Sequence, residues 1–312
     1  MTQSLNLVFC GTPRFAVPSL EKLAVGHRIH LVVTQPDRPK GRGLGLVQSP
    51  IKQSAQKLNL AITQPDRVKT NDQFRSQLTS IKPDAIIVVG YGRIIPQWML
   101  DLPPLGNINL HASLLPKYRG AAPIQWAIAN GETVTGNTTM RIDAGLDTGD
   151  ILLQQQFPIN PDDTAETLSP RLADMGADLL VETLRGLEAG SIHPRQQDDA
   201  QATLAPILKK EDGLIDFSRP AQQILNRLRG FQPWPGAYTR FRGKNLQILK
   251  AQPATEPVPP TELKPIAGRL LVGCAENTSL ELLELQLEGK KRSSAEAFIN
   301  GYHPKPSEKL GS

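Results

Sequence analysis

Two short stretches carry the side chains that could do chemistry. In GNINLHASLLPKYRG (106–120), Asn109 and His111 lie two apart at the end of a strand-like run. Side chains alternate along a strand, so a donor amide and an imidazole project from one face. Open α/β sheets bind ligands outside such strand ends. In DAGLDTGD (143–150), Gly145 and Gly149 permit a tight loop carrying three carboxylates. Chelation of calcium or magnesium is one reading of that loop, but the EF-hand pattern fails at both its Gly and its closing Glu. A loop of solvated acids, beside a packed structural histidine, is the plain reading. The chemical reading sets one acid beside His111, where it governs the imidazole's protonation and positions a water for proton removal.

Other routes to group transfer are missing from the sequence, which has no GxSxG elbow, no GxxxxGK[ST] loop and no clustered metal ligands. An Asn, a His and an Asp without a nucleophile suggest direct transfer of an activated carbonyl to an amine. Asn and protonated His would hold the oxyanion, and Asp would relay the proton.

These residues need a sheet to present them. Leu5–Cys10 is short, apolar and β-prone, and is followed by Gly11-Thr12-Pro13 and a helix at about Pro18–Ala24. The rhythm returns at Ile29–Thr34, Ala85–Gly90 and Ile108–His111, with amphipathic stretches between. Continuous apolar strands alternating with helices predict an α/β, largely parallel sheet covered on both faces. No GxGxxG follows the first strand, so a dinucleotide cofactor is not supported. Thr138–Ile142 and Ile151–Ile159 read as further strands. A long helix follows, capped by Asp163 with Glu166 three residues on, and carrying Leu168, Leu172, Met175, Leu179 and Leu187 on one stripe before Gly190.

Residues 190–204 are polar and aperiodic. The organisation expected is therefore a catalytic domain over 1–190, a linker over 191–206 and a second domain over 207–312. Beyond the linker, Leu214–Phe217, Asn245–Leu249, Arg269–Val272 and Leu280–Leu285 read as strands of a small β-barrel, with Pro253–Pro265 as an exposed loop.

Composition is consistent with that layout. The chain has 312 residues, 39% hydrophobic and 21% charged, with no apolar run long enough to span a membrane. The N-terminus lacks a basic n-region, so the cytosol is the expected compartment. Cys10 and Cys274 lie far apart and read as packed thiols rather than a disulfide or metal pair. Residues 1–204 hold 19 Lys and Arg against 19 Asp and Glu, and residues 205–312 hold 16 against 11, so the whole excess of +5 lies in the last third. A solvated surface explains such an imbalance; so does a domain that meets a polyanion.

HASLLPKYRGAAPIQWAI (111–128), followed by GLDTGDIL (145–152), resembles the folate-dependent formyltransferases. GTPRFAVPSL (11–20), TQPDRPKGRG (34–43), SPIK (49–52), VVGYGRIIP (88–96), RGFQPWPGAYT (229–239) and LEGKKR (287–292) extend the resemblance over nearly the whole chain, and together point to the branch of that family acting on charged initiator tRNA. The resemblance implies a Rossmann-like N-terminal domain and a C-terminal oligonucleotide-binding (OB-like) barrel. It places the catalytic Asn, His and Asp on Asn109, His111 and Asp147, leaving Asp143 and Asp150 structural. The donor implied is 10-formyltetrahydrofolate, with no metal. Its loops fall on Ser113, Leu114, Leu115 and Pro116 and on Val89, Gly90, Tyr91, Gly92, Ile94 and Ile95, whose backbone would read the pterin edge.

The pliable, basic segment Gln35–Lys52 reads by composition as a surface loop. By resemblance it enters the acceptor arm of the tRNA through Arg38, Lys40 and Arg42. Lys209, Lys210, Arg227, Arg229, Arg240, Arg242 and Lys244 are the expected phosphate contacts of the barrel. The implied activity is formylation of the methionyl α-amino group in support of translation initiation, by a monomer. A small amine acceptor, such as glycinamide ribonucleotide or an amino sugar, and a tRNA- or folate-binding module without turnover are the alternatives. The barrel and the basic loop disfavour the first; the presence of Asn109, His111 and Asp147 disfavours the second.

Overall fold

The structure, a computed structural model, describes residues 4–40 and 45–311. The chain divides into two compact units. One comprises Met1–Pro123, Val134–Pro158 and Ser169–Pro206; the other comprises Ile124–Thr133, Ile159–Leu168 and Ile207–Ser312. The elements of the first stretch are β1 (Asn6–Gly11), α1 (Val17–Gly26), β2 (Arg28–Val33), β3 (Arg38–Lys40), β4 (Gly45–Val47), α2 (Pro50–Lys57), β5 (Ile62–Thr63), α3 (Asp72–Ile81), β6 (Ala85–Val89), α4 (Gln97–Leu100) and β7 (Asn107–His111). Then come α5 (Pro123–Ala129), β8 (Val134–Arg141), β9 (Ile151–Pro158) and α6 (Ala165–Glu188). The C-terminal stretch holds α7 (Ala221–Gly230), β10 (Ala237–Phe241), β11 (Lys244–Ala254), β12 (Leu263–Ile266), β13 (Arg269–Gly273), β14 (Ser279–Leu287), β15 (Ser293–Ser294) and α8 (Ala295–Tyr302).

The large sheet of the first unit runs β5-β2-β1-β6-β7-β8-β9. It is parallel from β5 to β7, and β8 and β9 add antiparallel strands. Leu7 and Phe9 of β1 pack with Ala85, Ile87 and Val89 of β6 and with Ile108 and Leu110 of β7 on one face. Val8, Cys10, Ile86 and Val88 fill the other. Both faces are buried, which is why these strands read as unbroken apolar runs. Strand order reverses between β1 and β6, so the loops after β1 and β6 border the crevice where such sheets hold ligands, with the end of β7 next to it. α6 lies close to β7 and β8 because residue 176 is glycine: a Cβ there would stand 2.7 Å from the Leu110 side chain and 3.0 Å from that of Asn137.

Several expectations are corrected in detail. The N-cap of α6 is Thr164, not Asp163: its hydroxyl accepts from Thr167 N, and Thr167 Oγ1 accepts from Thr164 N, a reciprocal box one residue later than expected. Asp163 instead accepts from Asn160 N, closing the preceding turn. The buried stripe of α6 runs through Leu168, Leu172, Leu179, Leu180 and Leu184, while Met175 and Leu187 are only half-buried. Residues 191–206 are bonded into the first unit, with Arg195 bridging Ile151 and Leu204 bridging Arg119. Leu214–Phe217 makes one bridge rather than a strand, since Asp216 accepts from Ser218 N and Oγ and turns the chain. Pro253 and Pro265 lie within β11 and β12, so only the middle of the expected loop is irregular. α7 and α8 were not foreseen.

The C-terminal unit is an antiparallel OB-like sheet ordered β10-β11-β14-β13-β12. Its core holds Phe241, Leu246, Ile248, Leu270, Leu282, Leu285 and Phe298. The sheet's two outer strands are joined by the end of the chain. Leu263 N donates to Glu308 O (2.7 Å), Leu310 N to Thr261 O and Gly311 N to Arg240 O (each 2.9 Å). Leu310, 2% exposed, plugs the core beneath them. Cys10 and Cys274 are buried and free, and burial pushes both thiols up, that of Cys274 to about 12. Among the described residues no helix is long and apolar enough to cross a membrane. Leu310→Ala should destabilise the C-terminal unit by about 2–4 kcal/mol, read as a lower denaturant midpoint at unchanged slope; a change under about 0.5 kcal/mol would contradict the plug.

Candidate active site

Strand β7 sets the geometry. Ile108 and Leu110 point into the core, so Asn109 and His111 share the opposite face. His111 is 6% exposed, and its Nε2 lies 2.8 Å from Tyr118 O. A carbonyl only accepts, so Nε2 carries a proton and donates it there. Nδ1 remains as the nitrogen that can gain or lose one. It faces Asp147 Oδ2 at 3.7 Å, beyond hydrogen-bond length but within ion-pair reach of a protonated ring. The same Oδ2 accepts from Gly120 N at 2.8 Å. Asn109 is half-buried, and its amide makes no side-chain hydrogen bond to the described residues.

Asp147 reaches this position through a strained loop. Its backbone is left-handed, with φ of 51°, a conformation that costs a non-glycine residue about 1–2 kcal/mol. Residue 149 must be glycine, since a Cβ there would stand 1.9 Å from Arg141 O. Asp143 accepts from Gly145 N and Thr148 Oγ1 and so shapes the loop. Asp150 takes part through its backbone carbonyl, which accepts from Arg141 N. Among the described residues no three His, Cys, Asp or Glu side chains form a group that could hold a metal.

The SLLP segment leaves β7 beside these residues. Thr138 Oγ1 organises it, donating to Ser113 O (2.7 Å) and accepting from Leu115 N (3.2 Å) and Gln154 Nε2 (2.9 Å). Ser113 Oγ donates to Lys117 O, Leu115 is buried, and Leu114 and Pro116 are half-buried. At the end of β6 and in the loop after it, Val89 and the ring of Tyr91 are buried, so only their backbones are available to a ligand. Tyr91 O already accepts from Thr12 Oγ1 and Gln35 Nε2. Gly90 and Gly92 have φ of 56° and 72° and are exposed; Ile94 is 91% exposed and Ile95 packs against the core.

The loop carrying Arg38 is anchored at both ends. Lys52 donates to Asp37 and Gln64, and Gln64 donates to Asp37 and to Gln35 O. Lys52 first, then Gln64, holds the Asp37 carboxyl below its usual range. Arg38 is exposed, Lys40 ends β3, and Arg42 lies outside the described residues.

The seven basic residues expected to contact phosphate separate into two groups. Lys209, Lys210, Arg240 and Lys244 are exposed. Arg227 donates to Asp212 O and stacks over Trp126 and Phe231. Arg229 donates to Asn160 O, Asp163 O and Asn226 Oδ1. Arg242 grips Glu308 with two nitrogens, at 2.6 and 3.0 Å, and donates to Tyr302 O. These three build the unit. Tyr118, Gly120, Thr138 and Gln197 also build the site without a signal in the sequence, because each acts through backbone contacts or from outside a motif.

An amide, an imidazole with one free nitrogen and an acid on a rigid strand end fit acyl-group transfer without a covalent intermediate. The chain belongs to the formyl transferase family: the family's profile matches residues 5–184, and that of its C-terminal domain matches residues 207–303. It is 68% identical over 306 residues to the methionyl-tRNA formyltransferase of Koribacter versatilis, covering 98% of each chain. It is 59% identical over 310 residues to that of Acidobacterium capsulatum, covering 98% of this chain and 100% of the relative. Among solved structures, the N-formyltransferase from Helicobacter canadensis in complex with folinic acid and dTDP-3-aminofucose shares the fold. Its TM-score is 0.67 at 20% identity, over 89% of this chain and 98% of that one.

Thr138→Val should leave Ser113 O and Leu115 N unpaired and cost about 1–3 kcal/mol, with faster exchange of the Leu115 amide proton; unchanged exchange would show that another group holds the loop.

Proposed function

We propose that this protein transfers the formyl group of 10-formyltetrahydrofolate to the α-amino group of methionine esterified to initiator tRNA, in support of translation initiation. The observation that carries the reading is the meeting of His111 and Asp147, with Asn109 on the same strand face, in a chain that matches methionyl-tRNA formyltransferases from end to end.

The amine nitrogen attacks the formyl carbon. The Asn109 amide and protonated His111 hold the developing oxyanion. Asp147 draws the amine's proton away through a water, and the carbon–N10 bond breaks as N10 takes up a proton. No enzyme atom bonds to the carbon. The folate lies against the SLLP segment and the exposed backbone of the loop after β6. The tRNA meets the basic loop at Arg38 and the exposed Lys209, Lys210, Arg240 and Lys244, and one copy of the chain suffices. Only a neutral amine has a lone pair to attack with, so turnover falls as pH drops and the amine becomes an ammonium ion.

His111→Ala should lower kcat by about 10²–10³ with methionyl initiator tRNA; near wild-type turnover would reject the assignment. Assaying an amino sugar alongside the tRNA separates the two acceptor classes, the tRNA being the one formylated. For binding, Lys244→Ala and Arg240→Ala should each reduce the salt slope of tRNA affinity by about 1. Arg242→Ala should lower the melting temperature instead, because it removes the grip on Glu308.

A further inference from the structure

Behind the acid loop lies a clamp made by two buried side chains that the proposed chemistry does not use, one of them the arginine of KYRG. Arg119 and Gln197 are each 7% exposed. Arg119 Nε and Nη2 donate to Gln197 Oε1 at 3.0 and 2.8 Å, and Nη2 also meets Asp199 Oδ1 at 2.7 Å. Arginine has only donors, so the Gln197 oxygen must be the atom that faces it. Gln197 Nε2 then faces two carbonyls, Asp147 O at 2.9 Å and Gly149 O at 2.7 Å. Every hydrogen-bonding atom of the amide is used, and the orientation admits no flip.

The two carbonyls belong to Asp147, the left-handed residue itself, and to Gly149 two residues on. On the side-chain end, Gly120 N, the residue next to Arg119, holds Asp147 Oδ2. One short stretch thus grips the acid loop from two directions, directly through Gly120 and through Arg119 and Gln197. A left-handed aspartate persists only where its surroundings over-determine it, and these bonds supply that determination.

We infer that Gln197, oriented by Arg119, is a positioning residue for formyl transfer: it fixes the backbone at Asp147 and at Gly149 and thereby sets where the Asp147 carboxylate meets His111. The inference rests on the proposed function. Gln197 touches no reacting group and acts only through Asp147.

A double-mutant cycle on the full-length protein tests it. Gln197→Met removes the amide at similar volume, and Gln197→Glu keeps the acceptor for Arg119 while losing the donors to the two carbonyls. Each should lower kcat by about 10- to 100-fold, with KM for the folate and for the charged tRNA within about twofold of wild type. In an Asp147→Asn background the same substitutions should change kcat by less than about twofold, because the group they position is already disabled. An equal loss in both backgrounds would mark Gln197 as merely structural and overturn the inference, as would full activity of both Gln197 variants. Full activity of Asp147→Asn would remove the group through which Gln197 acts and overturn it too. Melting curves show which variants fold; should the Met variant unfold, the Glu variant carries the comparison. Failure of the wild-type protein to formylate charged tRNA at saturating donor would instead reject the functional reading.

Discussion

An imidazole that gives one N–H to a main-chain carbonyl has a single nitrogen left with which to act. Tyr118 O imposes that constraint on His111 at 2.8 Å, in a setting where the ring is 6% exposed and has little freedom to turn. The tautomer is fixed without any other side chain taking part. Everything else in the first unit can be understood as bringing a carboxylate to the remaining nitrogen at the right height. The acid comes from a loop 36 positions later in the chain, so the carboxylate must be held by contacts that the strand itself cannot provide.

Those contacts explain the shape of the sheet's active edge. β8 runs antiparallel to β7, with His111 opposite Thr138 and Asn109 opposite Met140. A parallel neighbour would need a crossover before returning; an antiparallel one delivers its far end directly back past the start of β7, and the acid loop joins β8 to β9 there. Thr138, across from His111, uses one hydroxyl to fix the SLLP segment at two main-chain points. The same pair of strands therefore positions both the proton-handling groups and the loop that lines the donor side.

How much of this the sequence discloses depends on whether a residue acts through its own side chain in a repeating pattern. Asn109 and His111 are legible because strand parity puts them on one face, and the apolar runs of β1, β6 and β7 reveal a sheet covered on both sides. Asp147 needed the resemblance, since three acids share its loop and only tertiary contacts tell them apart: Asp143 bonds its own loop, whereas Asp147 reaches Gly120. Gln197 was invisible. It sits in an extended segment held by isolated bridges and lone side-chain bonds, which leave no periodicity to read, and so the segment looks like a linker. The cap of α6 moved by one residue because Asp163 and Thr164 both suit the position, and Asp163 is taken up by the preceding turn. α7 was missed for want of a polar cap, its N-cap residue being Pro220.

Charge counting has a similar limit. The excess of +5 in the last third includes arginines that are tied into the unit: Arg242 on Glu308 and Tyr302 O, Arg227 on Asp212 O and two aromatic rings, and Arg229 on carbonyl oxygens. Glu308 cancels the field of Arg242, and in return its own carboxyl is held below the usual range. Arg227 and Arg229 still add to the long-range potential that draws a polyanion in. A phosphate at either would compete with the bonds that tie it into the unit. Steering and contact therefore fall to different residues of the unit. A polyanion would be attracted by nearly all of the excess charge, yet would release counterions at exposed residues such as Lys209, Lys210, Arg240 and Lys244 rather than at the three engaged arginines. The salt dependence of affinity must then be shallower than the count of basic residues implies.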